Sequence, residues 1–344
     1  MEEALAHLLA QAPWYLLAGV IVVCLSLLAK GADWLVREAV TLSGRSGIPK
    51  VVIGATIVSI GTTTPEAVVS VLAAVTGRPG LALGNAVGSV ITDTGLILGL
   101  ACLIAPLPLQ RRIVNRQGWI QFACGICLVL VTLPWGNLAQ TFSTGGRLSR
   151  PMGVVFLLGL LAYLLVSVRW AREGIPGAED VLEEAEHHEA GATIPVVVLK
   201  LVAAVAVVVI SSWVLIPAVS EAATRLQVPE SIIAATMVAF GTSLPELVTA
   251  VTAARHGHGE LAVGNVVGAD ILNVLFVAGA SAAATRGGLL VPAHFFELYF
   301  PSMLVVLTVF RLGVFASGSH LRRPFGFVLL ATYLAVTVLS YVIP

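Results

Sequence analysis

The chain has 344 residues, 58% hydrophobic and 11% charged, with a mean hydropathy of +0.96 and zero formal net charge. A soluble domain carries about a quarter charged residues, so a water-soluble enzyme or binding module is excluded. The lack of a basic field sets aside a nucleic-acid partner.

Taken in order, the apolar runs predict ten membrane helices, most reaching the ~20 residues that cross a bilayer. Met1-Glu2-Glu3 is acidic and lacks a basic leader, so it reads as a short external tail. The first helix runs from Pro13 into the Val40 region, and Lys30, Asp33, Arg37 and Glu38 are spaced to pair along its cytoplasmic end. The second spans Lys50 to Ala74, with a break expected near Gly61 and Pro65, and the third spans Leu81 to Ile104. Arg111, Arg112 and Arg116 are expected in a basic turn, followed by helices at Gly118 to Leu133 and Met152 to Val168. Arg169 to Ile194 is hydrophilic and acidic, and it lacks the alternation and glycine of a calcium loop, so it reads as a solvated linker. The remaining helices are Pro195 to Val219, Ser231 to Ala254, Leu261 to Ala283, Phe295 to Phe315 and Phe325 to Val342. Cys24, Cys102, Cys124 and Cys127 all fall in apolar segments and read as small buried hydrophobes, despite the C-x-x-C spacing of the last two.

One stretch occurs twice. Gly61-Thr62-Thr63-Thr64-Pro65-Glu66, Gly84-Asn85-Ala86-Val87-Gly88-Ser89 and Asp93 recur 180 residues later. The second copy reads Gly241-Thr242-Ser243-Leu244-Pro245-Glu246, Gly264-Asn265-Val266-Val267-Gly268-Ala269 and Asn273. Five helices per copy place the two halves in opposite orientations across the bilayer. The expected architecture is an all-α integral membrane protein, ten transmembrane helices as two inverted five-helix repeats. Its parts are 1–172, an acidic cytoplasmic loop at 173–194, and 195–344. With the N-terminus outside, twelve Lys and Arg residues fall on the cytoplasmic side and five outside, which fits the positive-inside rule.

Each copy carries a carboxylate within an apolar run. A charge at a helix centre costs about 2.5–3.5 kcal/mol on insertion scales, so Glu66, Glu246 and Asp93 must face the interior and be neutralised there. No Lys or Arg lies within the core segments of either copy, which leaves protons or metal cations. Thr62 and Thr63 fall four and three residues before Glu66, and Thr242 and Ser243 do the same for Glu246, so each pair is expected on the face of its own acid. Asn85, Ser89 and Asp93 form a polar stripe, answered by Asn265, Ala269 and Asn273. Carboxylates, hydroxyls and amides without thiolate or imidazole make a hard-oxygen set, suited to calcium and sodium.

These two linked motifs resemble the signature repeats of the cation/calcium exchanger superfamily, in its prokaryotic sodium/calcium exchanger branch. The family pattern G-T-S-x-P-E with G-N-x-x-G-S is matched in both halves. The resemblance implies secondary active exchange of Na⁺ for Ca²⁺ by alternating access in the cell membrane. Both ions are then substrates at a midplane site, with no cofactor, no enzymatic activity and no evident protein partner beyond the lipid bilayer. It implies Glu66 and Glu246 as shared ligands, with Asp93 and Asn273 as the central pair. Thr62, Thr63, Thr242, Ser243 and Ser89 supply further oxygens, and the first and sixth helices form the sliding gate. Four departures stand out: Ala269 for Ser, Asp270 beside the stripe, Thr63 for Ser, and Asp93 paired with Asn273 where many relatives have the reverse order. Asp270 is expected either to face a water-filled vestibule from the helix flank or to turn the position beside Ala269 into a proton site. A proton/calcium exchanger of the same fold is the alternative, although Gly88-Ser89 and Gly268-Ala269 stand where that branch carries a Glu-His pair. An intramembrane aspartyl protease lacks its G-x-G-D setting here, and a channel lacks its continuous polar lining.

Overall fold

The computed structural model describes residues 8–172, 193–227 and 241–342. The acidic linker, the first half of the seventh helix and the N-terminal tail expected from the sequence lie outside the described residues. The helices are α1 Trp14–Ser46, α2 Lys50–Val75, α3 Pro79–Ile104, α4 Arg111–Thr132 and α5 Arg150–Arg172 in the first half. The second half has α6 Ile194–Arg225, α7 Leu244–Arg255, α8 Gly259–Ala284, α9 Phe295–Ala316 and α10 Arg323–Val342. Among the described residues, nine of these are long and apolar enough to cross a membrane, and α7 is the short exception.

Several helices run past their apolar cores. Arg111, Arg112 and Arg116 are helical, not a turn, because long basic side chains can carry a helix into the polar interface. α1 continues to Ser46 and ends at Gly47, whose φ of 65° lies in the left-handed region that glycine adopts freely. Within α1 the expected pairing among neighbours gives way to other partners. Asp33 meets His256 at 3.5 Å, and Glu38 accepts from Trp34 Nε1 at 3.0 Å.

The break expected near Gly61 and Pro65 also differs. The α-helix Ser59–Val75 continues through Pro65, and the irregularity is a wide π turn one step earlier, at Gly54–Val58. Thr64 Oγ1 donates to Ile60 O at 2.6 Å, giving a backbone carbonyl upstream of the proline a second donor. In the second half, α7 begins only at Leu244, with Pro245 in its first turn. Gly241-Thr242-Ser243 precede it in bend and turn conformation. Both α3 and α8 widen into π turns, at Thr92–Ile97 and Asn273–Ala278, which start at or beside the paired residues Asp93 and Asn273.

The inverted arrangement shows in the packing. Leu17 of α1 clusters with Ala218 of α6, whereas Gly31 further along α1 meets Val207. As one helix advances the other retreats, so these matching helices are antiparallel. Four short strands add a second sign that an all-helical description omits. β1 Leu107–Pro108 pairs with β4 His320–Leu321, and β2 Gly146–Leu148 pairs with β3 Leu289–Val291. Each half thus lends the segment after its third helix to the segment before the other half's fifth.

α8 sits at the centre, with nearly every residue from Gly259 to Leu272 buried. α5 and α10 instead turn Leu158, Leu161, Leu165, Phe327 and Leu334 outward, a surface suited to lipid. α8 lies against the start of α2 backbone to backbone. A Cβ at Gly264 would stand 2.1 Å from Val51 O, and one at Gly268 2.5 Å from Ala55 Cα. This is the small-residue spacing that lets membrane helices touch, and it explains the glycines of the second G-N-x-x-G motif.

Gly264→Ala should therefore force α2 and α8 apart. A cost of about 1–3 kcal/mol is expected for such overpacking, seen as a lower thermal unfolding midpoint of the detergent-purified protein. Gly19→Ala, where nothing lies within 4 Å of the added carbon, should leave the midpoint unchanged or raise it.

Candidate functional site

The π turns of α3 and α8, the middle of α2 and the first turn of α7 converge on one cluster. Glu66, Asp93, Glu246, Asp270 and Asn273 are each 1% exposed. Glu66 lies within electrostatic reach of Glu246 and Asp93, and Asp93 within reach of Glu246 and Asp270.

The hydroxyls of each motif serve the acid of the other half. Thr63 Oγ1 donates to Glu246 Oε1 at 3.1 Å, and Thr62 also faces Glu246. Thr242 faces Glu66, and Ser243 faces Asp93. This differs from the same-helix pairing expected from spacing alone. In an inverted repeat the two motif helices approach each other, so the turn before each acid meets the partner's carboxylate.

Two amides complete the framework. Asn85 Nδ2 donates to Ser70 Oγ at 2.9 Å and to Glu66 O at 3.3 Å, while its Oδ1 accepts from Thr242 at 2.9 Å. It braces the first motif to the second. Asn273 Nδ2 reaches Asp93 Oδ2 at 3.4 Å across the pseudo-symmetry, so the expected central pair is in contact. Ser89 is buried one turn before Asp93, and Ala269 is buried at the matching place with no oxygen to offer. Of the nine residues singled out by the motifs, Thr62, Thr63, Glu66, Ser89, Asp93, Glu246 and Asn273 lie on the four converging helices, and Thr242 and Ser243 lie in the turn that leads into α7.

After these contacts one oxygen of each acid remains unpaired: Glu66 Oε2, Glu246 Oε2, Asp93 Oδ1 and Asp270 Oδ1, joined by Asn273 Oδ1. Buried oxygens of this kind ordinarily find a partner. Among the described residues the one buried Lys or Arg is Arg311, and it lies elsewhere, stacked on Trp119 and Phe315 and bonded to Asn115. The arrangement is a buried, acidic cluster whose charge is met by no basic side chain among the described residues. A cavity of about 110 Å³ between α2, α6 and α7 reaches Thr242, with Pro65, Ser212, Trp213, Pro217 and Pro245 also in its lining.

Asp270 departs from expectation. It faces no vestibule: its Oδ2 accepts from Thr94 Oγ1 and from Gln121 Nε2. Gln121 on α4 escaped sequence reasoning. The available signal was Gln117 and Gln121, an i, i+4 amide pair within a membrane helix, both fully buried here.

The profile of the sodium/calcium exchanger protein family matches residues 16–169 and 196–342. The chain belongs to that family. It is accordingly a multi-pass membrane transporter of the cation/Ca²⁺ exchange class, not a catalyst of a chemical reaction. It is 34% identical to the inner membrane protein YrbG of Escherichia coli, over 79% of this chain and 81% of that one. It is 28% identical to the sodium/calcium exchanger MaX1 of Methanosarcina acetivorans, over 92% and 96%. Among solved structures, the sodium-calcium exchanger NCX_Mj soaked with 10 mM Na⁺ superposes with a TM-score of 0.78 at 25% identity, covering 94% of this chain and 98% of the other. The ten-helix inverted architecture is that of this family member's fold.

The contact between Asn273 and Asp93 makes a charge-swap experiment informative. Asp93→Asn should lower calcium flux in proteoliposomes at least about tenfold, the loss of ~1.4 kcal/mol of binding. Adding Asn273→Asp should recover part of it, because the carboxylate returns to the same contact from the other side.

Proposed function

We propose that this chain exchanges Na⁺ for Ca²⁺ by alternating access, with both ions bound among Glu66, Glu246, Asp93 and Asn273. Thr62, Thr63, Thr242, Ser243 and Ser89 contribute further oxygens in this reading. The observation that carries it is the crossed bracing, in which each repeat's hydroxyls face the other repeat's acid and each glutamate keeps one oxygen unpaired. Calcium takes about six to eight oxygen ligands, several from carboxylates, and only the meeting of both repeats assembles such a set. Sodium needs the same hard donors at lower charge, so the two ions compete for one cluster and exchange follows.

Competition becomes coupled transport when the cluster opens to one side at a time. The antiparallel pair α1 and α6 supports that step. α6 crosses α2 at Gly61, where a Cβ would stand 2.6 Å from Val205 Cγ1, and α1 at Gly31. Such close, side-chain-poor contacts let a helix pair shift as a body. The cavity between α6 and α7 is the approach route from one side. The orientation we propose has the N-terminus outside and the acidic linker in the cytoplasm, following the positive charge, in a plasma or inner membrane. That the E. coli relative is named an inner membrane protein supports this location.

The test is calcium uptake into proteoliposomes under an imposed sodium gradient, and separately under an imposed proton gradient. Uptake driven by sodium is expected, and uptake driven by protons alone would replace sodium with protons as the coupling ion. Glu66→Gln and Glu246→Gln should each reduce uptake to background while the protein stays folded and inserted, since removing a midplane charge relieves desolvation.

A further inference from the structure

Asp270 has no acidic counterpart in the first repeat, where Val90 stands at the matching position. Its surroundings are nevertheless built for a charge. Thr94 Oγ1 and Gln121 Nε2 both donate to Asp270 Oδ2, the latter at 2.5 Å, and Gln121 Nε2 also reaches Thr94 Oγ1 at 3.2 Å. Two donors converging on one oxygen is the pattern of an ionised carboxylate, which only accepts.

The free atoms on this corner are all acceptors except one amide. Asp270 Oδ1, Asp93 Oδ1 and Gln121 Oε1 are buried and unpaired. Gln121 is 2% exposed, and one turn earlier on the same face of α4 Gln117 is 1% exposed with both of its polar side-chain atoms unpaired. Asp93 and Asp270 repel each other, buried and with no basic side chain beside them among the described residues, where charges interact strongly. Four acids are gathered in the cluster, and a single divalent ion would answer half of their charge.

We propose that Asp270, Asp93 and Gln121 hold a further monovalent alkali cation, on the α4 side of the central cluster, with Thr94 bracing Asp270. The donors are carboxylate and amide oxygens, which suit a hard cation. They are too few for calcium, which takes about six to eight oxygens. This position rests on the cation-exchange reading above and adds to it a site supplied by a fifth helix.

The experiment uses the full-length protein in detergent. The unfolding midpoint is followed against NaCl, with choline chloride holding ionic strength, and separately against CaCl₂. A bound ion raises the midpoint in proportion to its occupancy. In Asp270→Asn the sodium concentration for a half-maximal shift should rise about tenfold, while the calcium series moves by less than about twofold. Asparagine keeps the shape and still accepts from Thr94 and Gln121, so a merely structural brace would leave the sodium series unmoved. Adding Gln121→Glu to Asp270→Asn returns a carboxylate to the same corner and should restore the sodium response. Should Asp270→Asn not fold, Gln121→Leu carries the same test with a smaller shift in the same direction.

An unchanged sodium response in these variants overturns the proposal. Equal weakening of the sodium and calcium series also overturns it, by making Asp270 part of the shared site. A variant that loses pH dependence while keeping its sodium response overturns it in favour of a bound proton. A wild-type chain stabilised by neither ion refutes the exchange reading itself, which separates the two failures.

Discussion

Everything in this structure answers to one constraint: four carboxylates are buried together at the centre of a membrane protein, with no basic side chain beside them among the described residues. Isolating a charge from water costs several kcal/mol even after relaxation. A fold that retained such a cluster for stability alone would have supplied an arginine or lysine. Arg311 is the one buried basic residue among the described residues, and it is committed to α4 and α9. In the function proposed above, the charge balance is left to mobile cations, and binding them is the same event as stabilising the core. That identity makes a transporter out of an otherwise unfavourable arrangement.

The inverted repeat solves the geometric half of the problem. A single copy of the motif brings one glutamate and two hydroxyls, fewer oxygens than a calcium ion takes. Two copies in opposite orientation face each other, and the hydroxyls of one reach the carboxylate of the other. The close backbone contact of α2 with α8 at Gly264 and Gly268 holds this meeting together. The symmetry is approximate in ways that matter. Pro65 is accommodated inside a continuous helix, whereas Pro245 starts one. Asp93 faces Asn273, and Asp270 faces a threonine and a glutamine with no acidic mate. The acidic departures, at Asp93 and Asp270, fall along α3 and α8, where they adjust the chemistry of the cluster.

Much of this was legible in the residues. The repeat at an interval of 180 showed the two halves, their opposite orientation and the acids that had to meet. Side-chain spacing along one helix, however, says which face a residue occupies and not which partner that face meets. That is why Thr62 and Thr63 read as neighbours of Glu66 when they serve Glu246. The position of the helix irregularity was also hidden, because proline marks only a lost hydrogen bond, whereas the π turn lies upstream at Gly54–Val58. The pairing of Asp270 with Gln121 was illegible for a related reason. Their partnership joins α8 to α4 across 149 positions, and no local pattern announces a contact of that kind.

The central claim is that the unpaired oxygens of Glu66 and Glu246 belong to a bound cation. An experimental structure of the full chain equilibrated with calcium tests this most directly. The account predicts one ion coordinated by both glutamates, at about 2.3–2.6 Å from their oxygens, with hydroxyl oxygens of Thr62, Thr63, Thr242 or Ser243 alongside. An ion bound elsewhere, with Glu66 and Glu246 paired to each other or to protein donors, would contradict it.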